Sequence, residues 1–376
     1  MRLHPLKAIL HLGVKELRGL ARDPMMLFLI VFTFTFSIYI AGSAMPDTLH
    51  NAPIAIVDED QSALSARITA ALQPPYFAPP SHVWLTEADK GMDAGMYTFA
   101  LNIPPNFQRD VLAGKSPSIQ LNVDATRMSQ AFTGNGHIQQ IVLSEVDEFV
   151  RHVRGAGAAP VELALRMRFN PNLTQSWFGS LMEIINNVTM LSIVLTGAAI
   201  IREREHGTIE HLLVMPVSPF QIMVAKVWSM GAVVLVGAAL ALTVIVQRVL
   251  HVRVDGSIAL WLCAAALHLG ATTSMGIFMA TLARSMPQFG LLLVLAIMPL
   301  QLLSGGMTPR ESMPELVRTI MLAAPTTHFV SASQAILYRG AGLGVVWPQL
   351  LAVLGIGAVF FVIALRRFRS TLSRMA

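Results

Sequence analysis

VWSMGAVVLVGAALALTVIV, residues 227–246, contains no charged side chain. An α-helix rises about 1.5 Å per residue, so a run of this length crosses a hydrocarbon core of about 30 Å. Together with five similar runs it predicts six membrane-spanning helices, numbered spans 1 to 6 along the chain. The sequence places them at 25–44, 181–201, 218–246, 258–282, 288–304 and 346–365.

The composition points the same way. Of the 376 residues, 54% are hydrophobic and 13% are charged, whereas soluble domains carry about 25% charged residues. Polar residues interrupt span 2 at Asn186 and Asn187, and Pro299 and Gln301 interrupt span 5. No soluble fold requires apolar runs at this density. We therefore predict an α-helical polytopic membrane protein.

The basic residues are unevenly divided between the two sides of the membrane. If the N-terminus is cytoplasmic, the inside segments hold thirteen: Arg2, Lys7, Lys15, Arg18, Arg22, Arg202, Arg204, Lys226, Arg284, Arg366, Arg367, Arg369 and Arg374. The two shorter outside loops hold five: Arg248, Arg253, Arg310, Arg318 and Arg339. The remainder lie in 45–180, a segment too long for the positive-inside rule. Both termini, including the tail 366–376, are therefore predicted to be cytoplasmic, and no nucleic-acid partner is needed to explain the positive charge.

Two segments outside the spans are predicted to have structure of their own. Residues 1–24 place basic and leucine side chains on opposite faces, which predicts an amphipathic helix in the inner headgroup layer. An ordinary charged flank of span 1 is the first alternative. A cleaved signal peptide is the second, since Ala41-Gly42-Ser43-Ala44 is small enough for cleavage, but the apolar run is of full spanning length. Residues 45–180 predict an external α+β domain, with strands at Pro53–Val57, Tyr97–Ile103 and Ile119–Val123 and helices from Ser62 to Leu72, up to Leu112, and from Ser129 to Val153.

Several chemistries find no support. Cys263 is the only cysteine, so neither an intrachain disulfide nor a paired-cysteine metal site can form. Gly114-Lys115-Ser116 resembles the end of a phosphate-binding loop, but Arg109 stands where that loop needs a glycine. The histidines at 206 and 211 lack the HExxH spacing. We therefore expect this chain to hold no catalytic site, metal or cofactor.

The cytoplasmic segment 202–217 carries the most informative motif, REREHGTIEHLLVMP at 202–216. It predicts a short charged helix that ends at Pro216. Ser218-Pro219-Phe220-Gln221 then predicts a capping box with proline at the first helical position, which opens span 3. A helix across the ends of two spans can dock a soluble partner and transmit its motion to both. A solvated connector is the alternative.

This motif, followed by Lys226, resembles the signature of ABC type-2 exporter permeases. The N-terminal helix, the single first span, the large insert and the five further spans are similar to that family over essentially the whole chain. The resemblance implies that 202–217 is the coupling helix, which inserts into a cleft of an ATPase subunit. Its residues would be Arg202, Glu203, Arg204, Glu205, His206, Gly207, Thr208, Glu210 and His211, with Glu203, Glu205, Gly207, Thr208 and Glu210 facing the ATPase.

The resemblance also implies the partners. Six spans form half of a translocation unit in this family, so a second permease chain, identical or different, is expected. Two ABC ATPase subunits would bind ATP and Mg²⁺ and drive export of an unidentified substrate across the bacterial inner membrane. The external domain could contact a periplasmic adaptor of the membrane-fusion type or cap the exit.

Two later features complete the expectation. Residues 305–345 predict short external helices to about Tyr338, opened by a capping box at Ser312 and Glu315. The resemblance implies that these helices narrow the outer gate. Candidates for the translocation path are the polar residues within the spans, Asn186, Asn187, His268 and Gln301. Hydrogen bonds between helices are the alternative explanation of these residues.

Two other classes of protein compete with this interpretation. A membrane-anchored periplasmic binding or sensory protein would explain the insert but not the motif at 202–216. A secondary transporter would favour carboxylates or broken repeats within the membrane. Only Glu183, near a membrane edge, is acidic within the predicted spans.

Overall fold

The computed structural model describes residues 5–43, 49, 51–124, 128–154, 175–205, 207 and 217–373. The chain divides into two compact units. Residues 46–174 form an inserted domain, and residues 1–45 with 175–376 form the membrane unit.

The inserted domain is an α+β unit. Its described elements, in chain order, are β1 (Ile54–Asp58), α1 (Ala63–Ala71), β2 (Ser81–His82), α2 (Leu85–Asp93), β3 (Phe99–Ile103), α3 (Phe107–Leu112), β4 (Gln120–Val123) and α4 (Met128–Arg154). The sheet order is β2-β1-β3-β4. β1 is parallel to both β2 and β3, and β4 is antiparallel to β3.

Both faces of the central strands are covered, as is usual for parallel strands. On one face, Ile56 and Leu101 pack against Ile68 of α1. On the other face, small residues such as Ala55 pack against Ala88 of α2. The sequence did not predict β2 and α2, because β2 has only two residues and Ala88 is the one fully buried apolar side chain that α2 packs against the sheet.

Six helices in the described part of the membrane unit are long and apolar enough to cross a bilayer, which confirms the predicted fold class. They are span 1 (Pro24–Ser43), span 2 (Trp177–Glu205), span 3 (Pro219–Val249), span 4 (Ile258–Leu282), span 5 (Met286–Leu303) and span 6 (Leu343–Thr371). The N-terminal helix, Pro5–Ala21, precedes them.

Two of the spans begin at well-formed caps. The Asp23 side chain accepts hydrogen bonds from the backbone N–H groups of Met25 and Met26, and Pro24 follows it. Ser218 and Gln221 form a reciprocal capping box at the start of span 3, which confirms that prediction. Such caps satisfy N–H groups that have no partner within the helix.

Span 2 belongs to one continuous helix, Gln175–Glu205. The helix therefore continues four residues beyond the predicted end at 201, so the start of the predicted coupling segment is the last turn of span 2. Gly207, which has a left-handed φ of 68°, lies just beyond this turn and donates its N–H to the Arg204 carbonyl. Glycine adopts this conformation at helix ends without steric cost.

Span 2 is also the most enclosed helix. In its most apolar stretch 83% of the residues are buried, against 11% in spans 5 and 6. Span 4 packs along it through small residues and hydroxyl groups. Ser192 of span 2, for example, donates a 2.6 Å hydrogen bond to Thr272 of span 4.

Short helices connect spans 5 and 6. They are a 3₁₀ turn at Arg310–Ser312, α5 (Glu315–Met321), α6 (Pro325–Ser333) and a π-helical turn at Gln334–Tyr338. The capping box at Ser312 and Glu315 was wrong. Pro314 occupies the N-cap position, and the residue before it, Met313, is extended as a residue before proline prefers.

The close approach of spans 2 and 4 generates a prediction about Gly276. A Cβ atom there would lie 2.6 Å from the backbone oxygen of Ile193, whereas a Cβ at Gly270 on the same helix would meet nothing within 4 Å. Gly276→Ala should therefore destabilise the protein by about 1–3 kcal/mol through overpacking. Gly270→Ala should be neutral or slightly stabilising, since alanine is the better helix former.

Thermal unfolding of both variants in detergent checks this prediction. If Gly276→Ala unfolds at the same temperature as Gly270→Ala, the helices do not approach as closely as described.

Candidate functional site

The last turn of span 2 consists of four consecutive charged residues, Arg202–Glu205. Successive residues of an α-helix point about 100° apart, so four in a row face all sides of the helix. Each of them meets a different part of the membrane unit, and together they form the charged turn.

The two arginines of the charged turn fix the ends of two spans. Arg202 forms an ion pair with Asp23, the residue that caps span 1. The guanidinium of Arg204 donates to the backbone oxygens of Ala280 and Ala283, at 3.2 and 2.5 Å. These carbonyls close the C-terminal end of span 4, where no N–H from the same helix is available and where a cation is favoured by the helix dipole.

Glu205 caps span 5. Its Oε1 atom accepts a 2.9 Å hydrogen bond from the backbone N–H of Met286, the first residue of span 5. A carboxylate at a helix N-terminus satisfies a free N–H group and interacts favourably with the dipole. The charged turn therefore holds one end each of spans 1, 4 and 5 by three separate contacts.

Glu203 joins a buried ion cluster. The Lys226 Nζ atom of span 3 lies 2.8 Å from Glu203 Oε2 and 3.0 Å from Oε1 of Glu16 on the N-terminal helix. Lys15 lies 3.1 Å from the other oxygen of Glu203. The Lys226 side chain is only 2% exposed, against 10% for Glu16, 13% for Glu203 and 52% for Lys15. The cluster thus links the N-terminal helix to the helices on both sides of the 206–216 loop.

The charges of the cluster influence one another. Burial raises the pKa of the Glu16 carboxyl, while the positive charge of Lys226 opposes this rise and Glu203 adds to it. Buried charges are tolerated when they are paired and hydrogen-bonded, and removal of one partner leaves an uncompensated charge. The three buried groups therefore keep the N-terminal helix and spans 2 and 3 in one arrangement.

The predicted coupling residues divide between described and undescribed parts of the chain. His206, Thr208, Glu210 and His211 lie outside the described residues, and Gly207 is exposed. Glu203 was expected to face an ATPase. Instead, its carboxylate points into the ion cluster, because Lys226 and Lys15 occupy its two oxygens. Glu205 is exposed but is also bonded to span 5.

Two of the four translocation candidates hydrogen-bond between helices. The Asn187 amide donates to the Thr33 carbonyl at 2.9 Å, where span 1 has a π-helical turn. His268 is fully buried, 2.9 Å from the Thr189 hydroxyl, and its ring stacks on Phe329 of α6 at 4.1 Å. Asn186 and Gln301 are half-buried and remain candidates for the path.

Sequence reasoning missed the acidic members of the N-terminal segment. Glu16 lies four residues from both Leu12 and Leu20, which are buried. It therefore lies on the inward face of the helix, where an isolated carboxylate would be costly. The position of Glu16 on the same helix face as two leucines was the feature of the sequence that could have predicted a buried cation beside it.

Comparison of this chain with known protein families and with related proteins agrees with this architecture. The family model of ABC-2 family transporter proteins matches residues 25–366. An inner membrane transport permease of Escherichia coli strain K12, YhhJ, is 62% identical over 371 residues, which cover 99% of each chain. A probable multidrug ABC transporter permease of the same strain, YbhR, is 27% identical over 364 residues, which cover 94% of this chain and 96% of the relative.

Six spans, an inserted α+β domain and a charged turn that joins the helix ends define a polytopic membrane protein. The chain belongs to the ABC-2 transporter family, which confirms the resemblance seen in the motif at 202–216. It is a transporter permease, and this membership favours the permease interpretation over a sensory protein or a secondary transporter.

The ion cluster generates a second prediction. Lys226→Met leaves Glu16 and Glu203 buried without their shared cation, and should cost about 3–5 kcal/mol of stability. Lys15→Met removes the exposed partner and should cost at most about 1 kcal/mol. Thermal unfolding in detergent measures both losses.

A triple variant separates charge from packing. Lys226→Met combined with Glu16→Gln and Glu203→Gln removes all three buried charges and should recover most of the stability lost in Lys226→Met. If the triple variant is as unstable as the single one, the lost contribution is packing and not ion pairing.

Proposed function

We propose that this permease is the membrane-spanning half of an ATP-driven exporter in a bacterial inner membrane, with its ATPase on a separate polypeptide. The observation that carries the proposal is the charged turn. It stands at the entrance of the 206–216 loop and is bonded to the N-terminal helix and to spans 1, 3, 4 and 5. A partner that displaces this loop acts on all of these elements together.

The proposed division of labour follows from the contacts. The loop itself, with Glu210, receives the ATPase, while the charged turn transmits the displacement to the spans. ATP and Mg²⁺ bind to the ATPase, and closure of two ATPase subunits switches the path between inward and outward access. The excess of basic residues beside the loop supports its position in the cytoplasm.

A second permease chain completes the proposed path. Spans 1, 5 and 6 are the least buried, and their exposed apolar side chains need cover from lipid or from another copy. The inserted domain is a compact unit of its own, which suits contact with a periplasmic adaptor. Because two relatives are named probable multidrug permeases, hydrophobic drugs are the first substrates to test.

Co-purification combined with an ATPase assay tests the proposal, and it separates binding of the ATPase from transmission of its motion to the spans. We expect an ABC ATPase subunit co-expressed with the tagged permease to co-purify in mild detergent. Glu210→Lys should abolish this association. Arg202→Gln should retain it, but should change the rate of ATP hydrolysis by the complex roughly 2- to 30-fold, since its contact with span 1 is lost.

Arg284→Gln is the matched control, because it removes an exposed arginine from the same side of the membrane unit. It should leave both association and hydrolysis unchanged. The proposal fails if no ATPase associates with the folded permease. The transmission role of the charged turn fails if Arg202→Gln behaves like Arg284→Gln.

A further inference from the structure

A cavity of about 300 Å³ lies between the N-terminal helix and spans 1, 2 and 3. Its lining has a charged part and an apolar part. The charged part contains Lys15, Glu16, Arg202 and Glu203, and the apolar part includes Leu195 and Met230. A site with this division suits a molecule that has a charged head and an apolar body.

The charges around the cavity are arranged in layers. Lys226 is the most buried and lies within 3.0 Å of both carboxylates, and Lys15 supplies the second positive charge that balances Glu16 and Glu203. In each outer ion pair the cation is the more exposed member: Lys15 is 52% exposed against 13% for Glu203, and Arg202 is 34% exposed against 20% for Asp23. A ligand that enters the cavity from its surroundings meets these cations first. The mouth of the cavity therefore favours an anion over an organic cation.

The position of the cavity fits the headgroup layer of a bilayer. It is lined by the last turn of span 2 and by Met26 at the beginning of span 1. At these points the apolar runs meet charged sequence, as at the boundary between hydrocarbon and phosphate groups. Span 1 presents exposed apolar side chains such as Phe28 and Val31, so a lipid can reach the cavity from the side.

We propose that this cavity binds a phospholipid with an anionic headgroup. The phosphate contacts Lys15 and Arg202, and an acyl chain lies against Leu195 and Met230. Lysine and arginine bind phosphate through charge-assisted hydrogen bonds, which are stronger than neutral ones. The bound lipid bridges the N-terminal helix and the charged turn. This binding goes beyond the proposed coupling to an ATPase and occurs in the permease alone.

Native mass spectrometry of the delipidated permease tests the proposal, with short-chain phosphatidylglycerol as the probe. One lipid should bind most tightly to the wild type. Lys15→Met should weaken this binding roughly tenfold, as the loss of a charge-assisted hydrogen bond would. Lys15→Arg should retain it.

Lys7→Met is the matched control. Lys7 is an exposed lysine on the same helix and does not line the cavity, so its loss should not change the affinity. An equal loss of binding in Lys7→Met and Lys15→Met would overturn the proposal in favour of attraction to the whole basic face.

Two further ligands identify the part of the lipid that is recognised. Inorganic phosphate that competes at the same concentration would show a free-phosphate site, and uncharged diacylglycerol that binds equally well would show an apolar groove only. Either result overturns the phospholipid site. Without lipid, the unfolding temperature of each variant should equal that of the wild type, apart from the small loss of stability expected for an exposed ion pair. Weaker lipid binding then cannot be explained by unfolding of the variant.

Discussion

A lysine buried in the first turns of an apolar helix is the constraint on which one end of the membrane unit depends. Lys226 is fully buried in span 3, and a charge removed from water is tolerated only when partners surround it. Its two carboxylate partners come from different elements, Glu16 and Glu203. The N-terminal helix must therefore turn Glu16 inward, and span 2 must remain helical as far as Glu203. One buried charge thus determines where two other helices lie.

Helical periodicity extends this constraint to the rest of the membrane unit. Once span 2 is helical through Glu205, its four charged residues face different sides and reach the ends of spans 1, 4 and 5. Helix ends are suitable partners, because their backbone groups lack intrahelical hydrogen bonds. The two arginines contact a helix-capping carboxylate and C-terminal carbonyls, and Glu205 contacts an N-terminal amide. Arg204 and Glu205 are thus matched to the polarity of the helix ends that they meet, whereas Arg202 is matched to the carboxylate that caps span 1.

Much of the membrane unit was predictable, because its signals are local. Long apolar runs predict spans, and Ser218 and Gln221 predict a cap through residues three apart. The charged turn was predicted to begin a separate helix. The residues alone do not distinguish a helix that ends at Ile201 from one that continues to Glu205. The ion cluster was missed because its members come from three segments that are distant in sequence, Lys15–Glu16, Glu203 and Lys226. One sequence contains no direct signal of such contacts. In the inserted domain, the two-residue β2 was too short for its periodicity to be detected.

Span 2 also connects the two ends of the membrane unit. At the end opposite the charged turn, the Phe178 carbonyl accepts a 2.9 Å hydrogen bond from Tyr338, at the end of the short helices between spans 5 and 6. Trp177 donates a 2.8 Å hydrogen bond to the Arg253 carbonyl in the connection between spans 3 and 4. A continuous, enclosed helix cannot shorten without breaking its own hydrogen bonds. A displacement of the charged turn must therefore either move the helices bonded to it or shift the contacts of Tyr338 at the far end. Span 2 is thus the direct physical link between the loop at one end of the permease and the short helices at the other.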